Sequence, residues 1–159
     1  MAPRPGRRRG EGGEVAEDNK PFSMTRIVNW GDCDPAGMIY TPRAIDYAIE
    51  AVEEWYREVV GISWMHINFT MGTSLPTVRV ECDFIRPPYP RSEIDMRVRV
   101  ESLGKSSLTL LIDGLNNDGE PYFKVRLVTC YISRGEFKAV DIPGEVRAPI
   151  AAYQAACGD

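Results

Sequence analysis

Two segments in the middle of the chain alternate apolar and polar residues with a period of two. In residues 77–85 the apolar side chains are separated mainly by charged ones, and residues 94–103 repeat the arrangement. This period is typical of a β-strand with one face in a core and the other in water. The sequence therefore predicts two half-buried strands. Their apolar positions are Val78, Val80, Cys82, Phe84, Ile94, Met96, Val98 and Val100.

A different period marks residues 42–60, where apolar residues recur at steps of one, three and four. This spacing predicts an amphipathic helix about 28 Å long, at 1.5 Å per residue. Thr41 is predicted as the N-cap, and Pro42 suits the first helical position because its missing N–H would be unpaired there anyway. Gly61 is expected to end the helix.

Further strands are predicted at residues 24–30, 107–115 and 122–133, and residues 116–119 form a turn signal between the last two. The element order is one strand, one long helix, then at least four strands with short connections. Short connections favour antiparallel pairing, because a parallel crossover needs a dozen or more residues. The prediction is an α+β fold in which a curved antiparallel sheet of about five strands wraps around one long central helix.

The chain of 159 residues is predicted to hold one domain. Residues 1–22 are assigned to a disordered tail, because residues 1–20 mix charges of both signs with four glycines and have no aromatic residue. Residues 23–145 form the domain. The alanine-rich residues 146–159 are expected to be a C-terminal extension with a short helix.

Composition argues against several functions. A net charge of −4 argues against a nucleic-acid-binding protein. The apolar runs are far shorter than the ~20 residues of a membrane-spanning helix, so no membrane partner is expected. Four widely spaced cysteines and one histidine predict no metal site. Reduced thiols of this kind indicate a cytoplasmic protein.

The candidate chemistry lies in residues 30–42, a loop that leads into the long helix. It holds two carboxylates, Asp32 and Asp34, together with a thiol and Gly37. The first N–H groups of a helix are unpaired and partly positive, so they stabilise a carboxylate or a developing oxyanion. A base beside such a site is the minimum needed to attack an acyl carbon. Acidic loops also serve as simple turns and caps, so the pattern alone leaves both interpretations open.

A specific resemblance is carried by the run GDCDPAG at residues 31–37, followed by an apolar triplet and by Pro42 at the helix start. This run resembles the signature of the hot-dog-fold 4-hydroxybenzoyl-CoA thioesterase family. Element order, the proline-rich loop after Phe84 and residues 104–107 extend the resemblance over residues 24–143. It implies a hot-dog fold, an acyl-CoA substrate, no metal and no separate cofactor. It also implies a homodimer or a dimer of dimers, with active sites at the subunit interface.

The resemblance assigns roles to residues of the loop. Asp34 falls on the catalytic carboxylate, which acts as a nucleophile or as a general base that activates water. The backbone N–H of Thr41 falls on the donor that polarises the thioester carbonyl. Gly37 matches the tight loop of the family, and Tyr40 is expected among the substrate-binding residues.

The resemblance also suggests where coenzyme A binds. Lys105 and Ser106 fall on positions that contact its nucleotide end. Family members can be more basic just before this lysine, whereas two uncharged residues stand there in this chain. Arg86 or Arg91 is therefore expected to contribute to phosphate binding.

Other residues near the motif have structural interpretations. Asp32 is expected to lie on the same side as Asp34 and to bond nearby backbone. Cys33 is expected to be an inert buried thiol, because His66 is remote in sequence. A solvated helix face is the preferred interpretation of three glutamates that resemble the helix-borne base of another hot-dog branch: Glu50, Glu53 and Glu54.

The predicted function is hydrolysis of an acyl-CoA thioester to a carboxylic acid and free coenzyme A. An aromatic acyl group such as 4-hydroxybenzoyl is the leading choice. A short-chain acyl-CoA thioesterase is an alternative, although related enzymes of that kind usually carry a histidine where Thr41 follows Tyr40. A non-catalytic acyl-CoA-binding hot-dog protein is a second alternative. A hot-dog hydratase is disfavoured, because it would pair a histidine with an acid and His66 lies outside the motif.

Overall fold

The structure is a computed structural model and describes residues 20–157. Most of the predicted N-terminal tail lies outside these residues. Phe22, at the end of that segment, is bonded to the domain. Its N–H donates to the Tyr153 hydroxyl over 2.8 Å, and its carbonyl accepts from the Val98 N–H over 3.0 Å. Phe22 therefore connects the sheet to the last helix.

One long helix and a five-stranded antiparallel sheet make up the domain. The helices are α1 (Thr41–Trp55), which continues as a π-helical turn (Tyr56–Val60), α2 (Trp64–Phe69) and α3 (Gly144–Cys157). The strands are β1 (Ser23–Ile27), β2 (Thr73–Ser74), β3 (Thr77–Phe84), β4 (Glu93–Leu103), β5 (Ser107–Leu115), β6 (Pro121–Cys130) and β7 (Ile132–Ser133). The main sheet has the order β1-β4-β5-β6-β3, and β2 pairs with β7.

Helix α1 packs against one face of the main sheet, where it contacts β1, β4, β5 and β6. Its buried side combines the small residues Ala44, Ala48 and Ala51 with the large aromatic residues Tyr47 and Trp55. Small residues allow the helix to approach the sheet closely, while the aromatic rings fill the remaining space. The predicted α+β arrangement of one long helix and a five-stranded antiparallel sheet is confirmed.

Several element boundaries differ from the prediction. The first strand ends at Ile27 rather than at residue 30, because Trp30–Asp32 form a 3₁₀ turn in which the Asp32 side chain accepts the Asn29 N–H over 3.1 Å. Thr41 is the first residue of α1 and not its N-cap. The cap is Tyr40, whose backbone is extended at φ −65° and ψ 126°.

Short elements were also missed. The pattern predicted no helix at α2, no strand at β2, and one continuous strand where the structure has β6 and β7. These elements have two to six residues, too few for a hydrophobic period to repeat.

Strand β3 forms an edge of the main sheet, and its apolar side is uncovered. Val80 lies opposite Leu127 and Phe84 lies opposite Phe123, so these side chains share the face that packs on α1. Val80 is nevertheless 38% exposed and Phe84 46% exposed, whereas their partners on β6 are buried. The predicted alternation is present, but the described part of the chain does not cover the apolar side of β3.

Candidate active site

The acidic loop closes on itself around Asp34. The Asp34 N–H donates to the Met38 carbonyl over 2.9 Å, and the Asp34 carbonyl accepts the Gly37 N–H over 2.9 Å. Its carboxylate oxygen Oδ1 accepts the Ala36 N–H over 2.8 Å. Gly37 has a φ of +78°, a left-handed conformation that glycine adopts without steric cost. The loop thus holds Asp34 in place and leaves its Oδ2 atom without a hydrogen-bond partner among residues 20–157.

Asp34 and the beginning of α1 share a cavity of about 310 Å³, which we call the Asp34 cavity. Thr41 is the first helical residue, so its N–H has no acceptor within the helix. The partial positive charge of the helix N-terminus is concentrated at the same point. The lining residues are Asp34, Met38, Ile39, Thr41, Phe84, Ile85, Arg86 and Pro87. Asp34 and the residue that begins α1 therefore line one small, partly apolar space.

Of the other expected site residues, Arg86 lines this cavity, whereas Gly37 and Tyr40 do not. Gly37 and Tyr40 belong to the loop before α1, and the Tyr40 side chain is exposed. Arg86 lines the cavity and forms an exposed ion pair with Glu120. The end of β3 and the loop after it also contribute walls, of which only Arg86 was assigned to the site from sequence. The proline-rich segment after Phe84 supported the family resemblance, but the other residues of this wall were not assigned to the site.

Three expected coenzyme A contacts do not line the Asp34 cavity of the same chain. Lys105 and Ser106 lie in the turn between β4 and β5. The Lys105 Nζ atom is 3.5 Å from a carboxylate oxygen of Asp141, and the Ser106 carbonyl accepts the Tyr131 N–H over 2.7 Å. Arg91 lies in the turn before β4, where its N–H donates to the carbonyl of the residue after β1.

Asp32 is held by the fold and does not line the Asp34 cavity. Its Oδ2 atom accepts the Tyr47 hydroxyl over 2.7 Å and the Asn29 N–H over 3.1 Å, and its Oδ1 atom is 3.4 Å from Arg43 Nε. Partial burial raises the pKa of Asp32, but these hydrogen bonds and the Arg43 charge outweigh it and lower the pKa. The expectation that Asp32 lies on the same side as Asp34 depended on strand alternation, which the 3₁₀ turn interrupts, and Asp32 is not a lining residue of the cavity.

Neither Cys33 nor His66 has the surroundings of a nucleophile and its base. Burial, followed by the negative charges of Asp32 and Asp34, raises the pKa of the Cys33 thiol. A thiol with a raised pKa carries little thiolate at neutral pH and is a weak nucleophile. His66 lies in α2 and does not line the Asp34 cavity. Cys33 therefore matches the expectation of an unreactive thiol.

The glutamates of α1 are part of an ion-paired helix face. Glu50 is 2.8 Å from Arg26, Glu54 pairs with Arg57, and Glu53 is exposed. None of the three lines the Asp34 cavity. Their positions agree with the preferred interpretation of a solvated face.

A larger concavity of about 530 Å³ lies on the opposite face of the sheet. Its charged side chains are largely paired across strands, with Arg99 2.7 Å from Asp113 and Arg126 3.3 Å from Glu81. Paired charges on an open sheet face provide neither a free base nor an oxyanion donor. The smaller Asp34 cavity is therefore the better candidate for chemistry.

The comparison with protein families decides the membership of this chain. Residues 28–150 match the model of the thioesterase-like superfamily, a range that includes the acidic loop, α1 and four of the five strands of the main sheet. The chain belongs to the thioesterase-like superfamily. The hot-dog fold expected from the sequence is thereby confirmed. The narrower assignment to the 4-hydroxybenzoyl-CoA thioesterases remains a prediction.

Individual relatives of this superfamily member agree with the match. A thioesterase superfamily structure from Jannaschia sp. CCS1 is 29% identical, covers 96% of each chain and has a TM-score of 0.76. The uncharacterized protein YsmA of Bacillus subtilis is 35% identical over 54% of this chain and 60% of its own length. A 1,4-dihydroxy-2-naphthoyl-CoA hydrolase of Synechococcus elongatus is 27% identical over 53% of this chain and 62% of its own length. The chain thus spans about three fifths of the curated relatives it matches.

Residues 20–157 contain neither a candidate metal cluster nor a candidate membrane-spanning helix. No group of three or more His, Cys, Asp or Glu side chains in this range is arranged to hold a metal ion. No helix in it is both long enough and apolar enough to cross a membrane.

Proposed function

We propose that this thioesterase-like protein hydrolyses an acyl-CoA thioester, with Asp34 as the catalytic carboxylate and the Thr41 amide as the carbonyl-polarising donor. The observation that carries the proposal is that Asp34 and the first residue of α1 line the same cavity. Superfamily membership supports hydrolysis of a thioester as the reaction.

The carboxylate can act by either of two routes. As a general base, Asp34 takes a proton from water while the water oxygen bonds to the thioester carbon. The carbon–sulfur bond then breaks, and the coenzyme A thiolate takes up the proton, which leaves a carboxylic acid and free coenzyme A. As a nucleophile, Asp34 bonds to the carbon first and expels the thiolate, and water then cleaves the resulting anhydride.

Both routes place negative charge on the former carbonyl oxygen. The Thr41 N–H supplies a hydrogen bond to this oxygen, and the helix N-terminus adds partial positive charge. One such donor is worth about 3–4 kcal/mol of transition-state stabilisation. A backbone amide at a helix start does not have to reorganise during the reaction, so its contribution is available at once.

Coenzyme A is proposed to reach the Asp34 cavity along Arg86 and Tyr40. Arg86 and Glu120 are each about half exposed, and an exposed pair of this kind contributes little stability. The guanidinium group can therefore exchange the carboxylate for a phosphate. Lys105 and Ser106 remain proposed contacts of the nucleotide end. No cofactor beyond the coenzyme A of the substrate is proposed.

The proposed working form is a homodimer that pairs through the β3 edges. β3 has an open edge and an uncovered apolar side, which is the surface that antiparallel pairing with a second copy would bury. Other exposed apolar side chains lie near both ends of β3, with Val78 and Phe137 near its beginning and Ile85 and Tyr89 beyond its end. A dimer of dimers remains a prediction, as does the cytoplasmic location.

A thiol-release assay tests the function. Benzoyl-, 4-hydroxybenzoyl-, acetyl- and butyryl-CoA are incubated separately with the protein, and free coenzyme A is measured with a thiol reagent. We propose an aromatic acyl group, so release should be fastest with one of the two aromatic esters. Faster release from the short-chain esters supports the short-chain alternative. Binding without any release supports a non-catalytic acyl-CoA-binding protein and contradicts the proposal.

A further inference from the structure

The acidic loop contains a small hairpin, residues 32–40, which we call the motif hairpin. Two backbone hydrogen bonds cross it. The Asp34 N–H donates to the Met38 carbonyl over 2.9 Å, and the Tyr40 N–H donates to the Asp32 carbonyl over 2.8 Å. The two residues between these pairs form an antiparallel bridge. The motif hairpin therefore connects Asp34, near its tip, with the residue that precedes α1.

The base of the motif hairpin also fixes the first peptide unit of α1. The Tyr40 N–H is bonded to Asp32, and the Tyr40 carbonyl accepts the Arg43 N–H over 2.7 Å. The Thr41 N–H belongs to the same peptide unit as this carbonyl, and in a planar trans unit the two point in opposite directions. Because the carbonyl points into the helix, the Thr41 N–H is directed away from it. The position of Asp32 therefore affects both the proposed base and the proposed donor.

A hydrogen bond from Tyr47 anchors Asp32 to the core. The Tyr47 hydroxyl donates to the Asp32 Oδ2 atom over 2.7 Å. Tyr47 lies on the buried side of α1 and is 1% exposed. Burial, followed by the hydrogen bond to Asp32, raises the pKa of Tyr47, so the hydroxyl keeps its proton and remains the donor. The base of the motif hairpin is therefore bonded to a side chain that is packed in the core.

The ring of Tyr47 is held by the first strand as well as by α1. The guanidinium carbon of Arg26, a residue of β1, lies over the ring at 4.6 Å from its centre. An aromatic face attracts a cation placed in this way. A guanidinium nitrogen of Arg26 is also 2.8 Å from a carboxylate oxygen of Glu50, which lies one turn after Tyr47 in α1. These contacts fix the ring, and the ring fixes the place of its hydroxyl.

We infer that Tyr47 is a positioning residue of the proposed reaction. Its hydroxyl holds Asp32, and the motif hairpin passes this constraint to Asp34 and to the Thr41 amide. Tyr47 does not line the Asp34 cavity, so its effect on turnover comes through the motif hairpin and not through contact with substrate. Displacing reacting groups by about 1 Å can cost about 100-fold in rate. The role of Tyr47 rests on the proposed function and adds a core residue to those that determine turnover.

Steady-state kinetics of Tyr47→Phe test this role. The substitution removes the hydroxyl but keeps the ring and its contact with Arg26. With whichever of the four coenzyme A esters the wild type hydrolyses fastest, kcat should fall about tenfold, because a displacement smaller than 1 Å costs less than the full factor. KM should stay within about twofold, because uniform substrate binding is not changed. A kcat within about twofold of the wild-type value overturns the inference.

Tyr56→Phe is the matched control for general stability. The hydroxyl oxygens of Tyr56 and Tyr131 are 2.7 Å apart, and Tyr56 is as fully buried as Tyr47. Neither Tyr56 nor Tyr131 lines the Asp34 cavity. Both tyrosine-to-phenylalanine variants remove one buried hydroxyl and should lower the midpoint of thermal unfolding slightly, but only Tyr47→Phe should lower kcat. Equal losses of kcat in the two variants overturn the inference, since they would reflect stability alone.

A double-mutant cycle tests whether Tyr47 acts through Asp32. Asp32→Ala removes the acceptor of the Tyr47 hydroxyl. If the hydroxyl acts only through this acceptor, adding Tyr47→Phe to Asp32→Ala should lower kcat by less than about twofold. A further loss of about tenfold in the double variant shows that the two residues act independently and overturns the inference. Asp32→Asn keeps an oxygen that can accept the hydroxyl, so it should lose less turnover than Asp32→Ala.

Amide hydrogen exchange measured by NMR tests the motif hairpin without any substrate. The Asp34 and Tyr40 amides donate across the hairpin, so in Tyr47→Phe they should exchange at least about fivefold faster, while the amides of β5 keep their rates. Unchanged exchange at both positions overturns the inference. If Asp34→Asn keeps wild-type turnover, the proposed function fails, and the role of Tyr47 fails with it. If Asp34→Asn is impaired and Tyr47→Phe is not, only the role of Tyr47 fails.

Discussion

The two carboxylates of the acidic motif lie two residues apart and have opposite surroundings. Asp32 accepts hydrogen bonds from Tyr47 and Asn29 and is near Arg43. The Asp34 carboxylate accepts only the Ala36 N–H among residues 20–157, and Asp34 lines a cavity at the start of α1. The 3₁₀ turn between β1 and the loop includes Asp32 but not Asp34. The comparison indicates that Asp32 stabilises the loop, whereas the Asp34 carboxylate is left with one hydrogen bond beside the cavity.

The largest expected effect is on turnover in Asp34→Asn. The substitution keeps the size of the side chain and its hydrogen bond to Ala36, but it removes the charge that is proposed to attack the thioester carbon or to activate water. Turnover should fall by a factor of about 100 to 10,000 in the thiol-release assay, while the midpoint of thermal unfolding changes little. A variant that folds and keeps more than a tenth of wild-type turnover would mean that Asp34 is not the catalytic carboxylate.

The second effect concerns the Thr41 amide at the start of α1. Thr41→Pro removes the N–H at a position where helices tolerate proline, so turnover should fall about 100-fold, as for loss of an oxyanion donor. Thr41→Ala keeps the amide and should lose far less. Similar losses in both variants would point to the threonine side chain instead. Circular dichroism checks that the helix persists in each variant.

The third prediction concerns Asp32, whose substitution should affect stability more than turnover. Asp32→Asn should lower the free energy of unfolding by about 1–2 kcal/mol, because hydrogen bonds to an ionised group are replaced by weaker neutral ones. Turnover should fall less than tenfold. Urea unfolding and thiol release measure the two quantities on the same preparation. If Asp32→Asn loses as much turnover as Asp34→Asn, the roles assigned to the two acids are wrong.

The smallest effect is the pH dependence of the Asp32 contribution. The pKa of Asp32 is lowered in the folded state from its ordinary value of 3.8, so the ionised form stabilises the fold. This contribution is complete above the unfolded pKa and is lost as the pH falls through the lower folded value. The stability gap between wild type and Asp32→Asn should therefore be full at pH 7 and shrink as the pH approaches 3. A gap that stays constant would show that the Asp32 charge contributes nothing.

Much of the fold could be predicted from local patterns. Helix α1 was placed to within one residue of its start, because its apolar positions repeat over five turns and Gly61 stops it with a φ of +75°. Strand β5 was placed with both ends correct, because a turn signal follows it. Helix α2 was missed, since six residues with one buried side chain, Ile67, carry no readable period.

The candidate site also has some features that could be predicted from sequence and others that could not. The acidic loop, its glycine and its position before a helix could be identified from sequence, because each depends on neighbouring residues. The separate surroundings of Asp32 and Asp34 could not, since the Asp32 side chain is bonded to Tyr47, 15 positions away in sequence. The same holds for the cavity wall formed by the end of β3 and the loop after it, where only Arg86 had been expected.

The sequence by itself determined the periods that form α1 and the strands, and it determined the loop that carries the carboxylate to the helix start. These features are local, because backbone geometry and side-chain polarity act over a few residues. The tertiary structure decided which acid lines the Asp34 cavity and which strand is left at the sheet edge. Those features depend on contacts between segments distant in sequence, which only packing of the whole domain brings together.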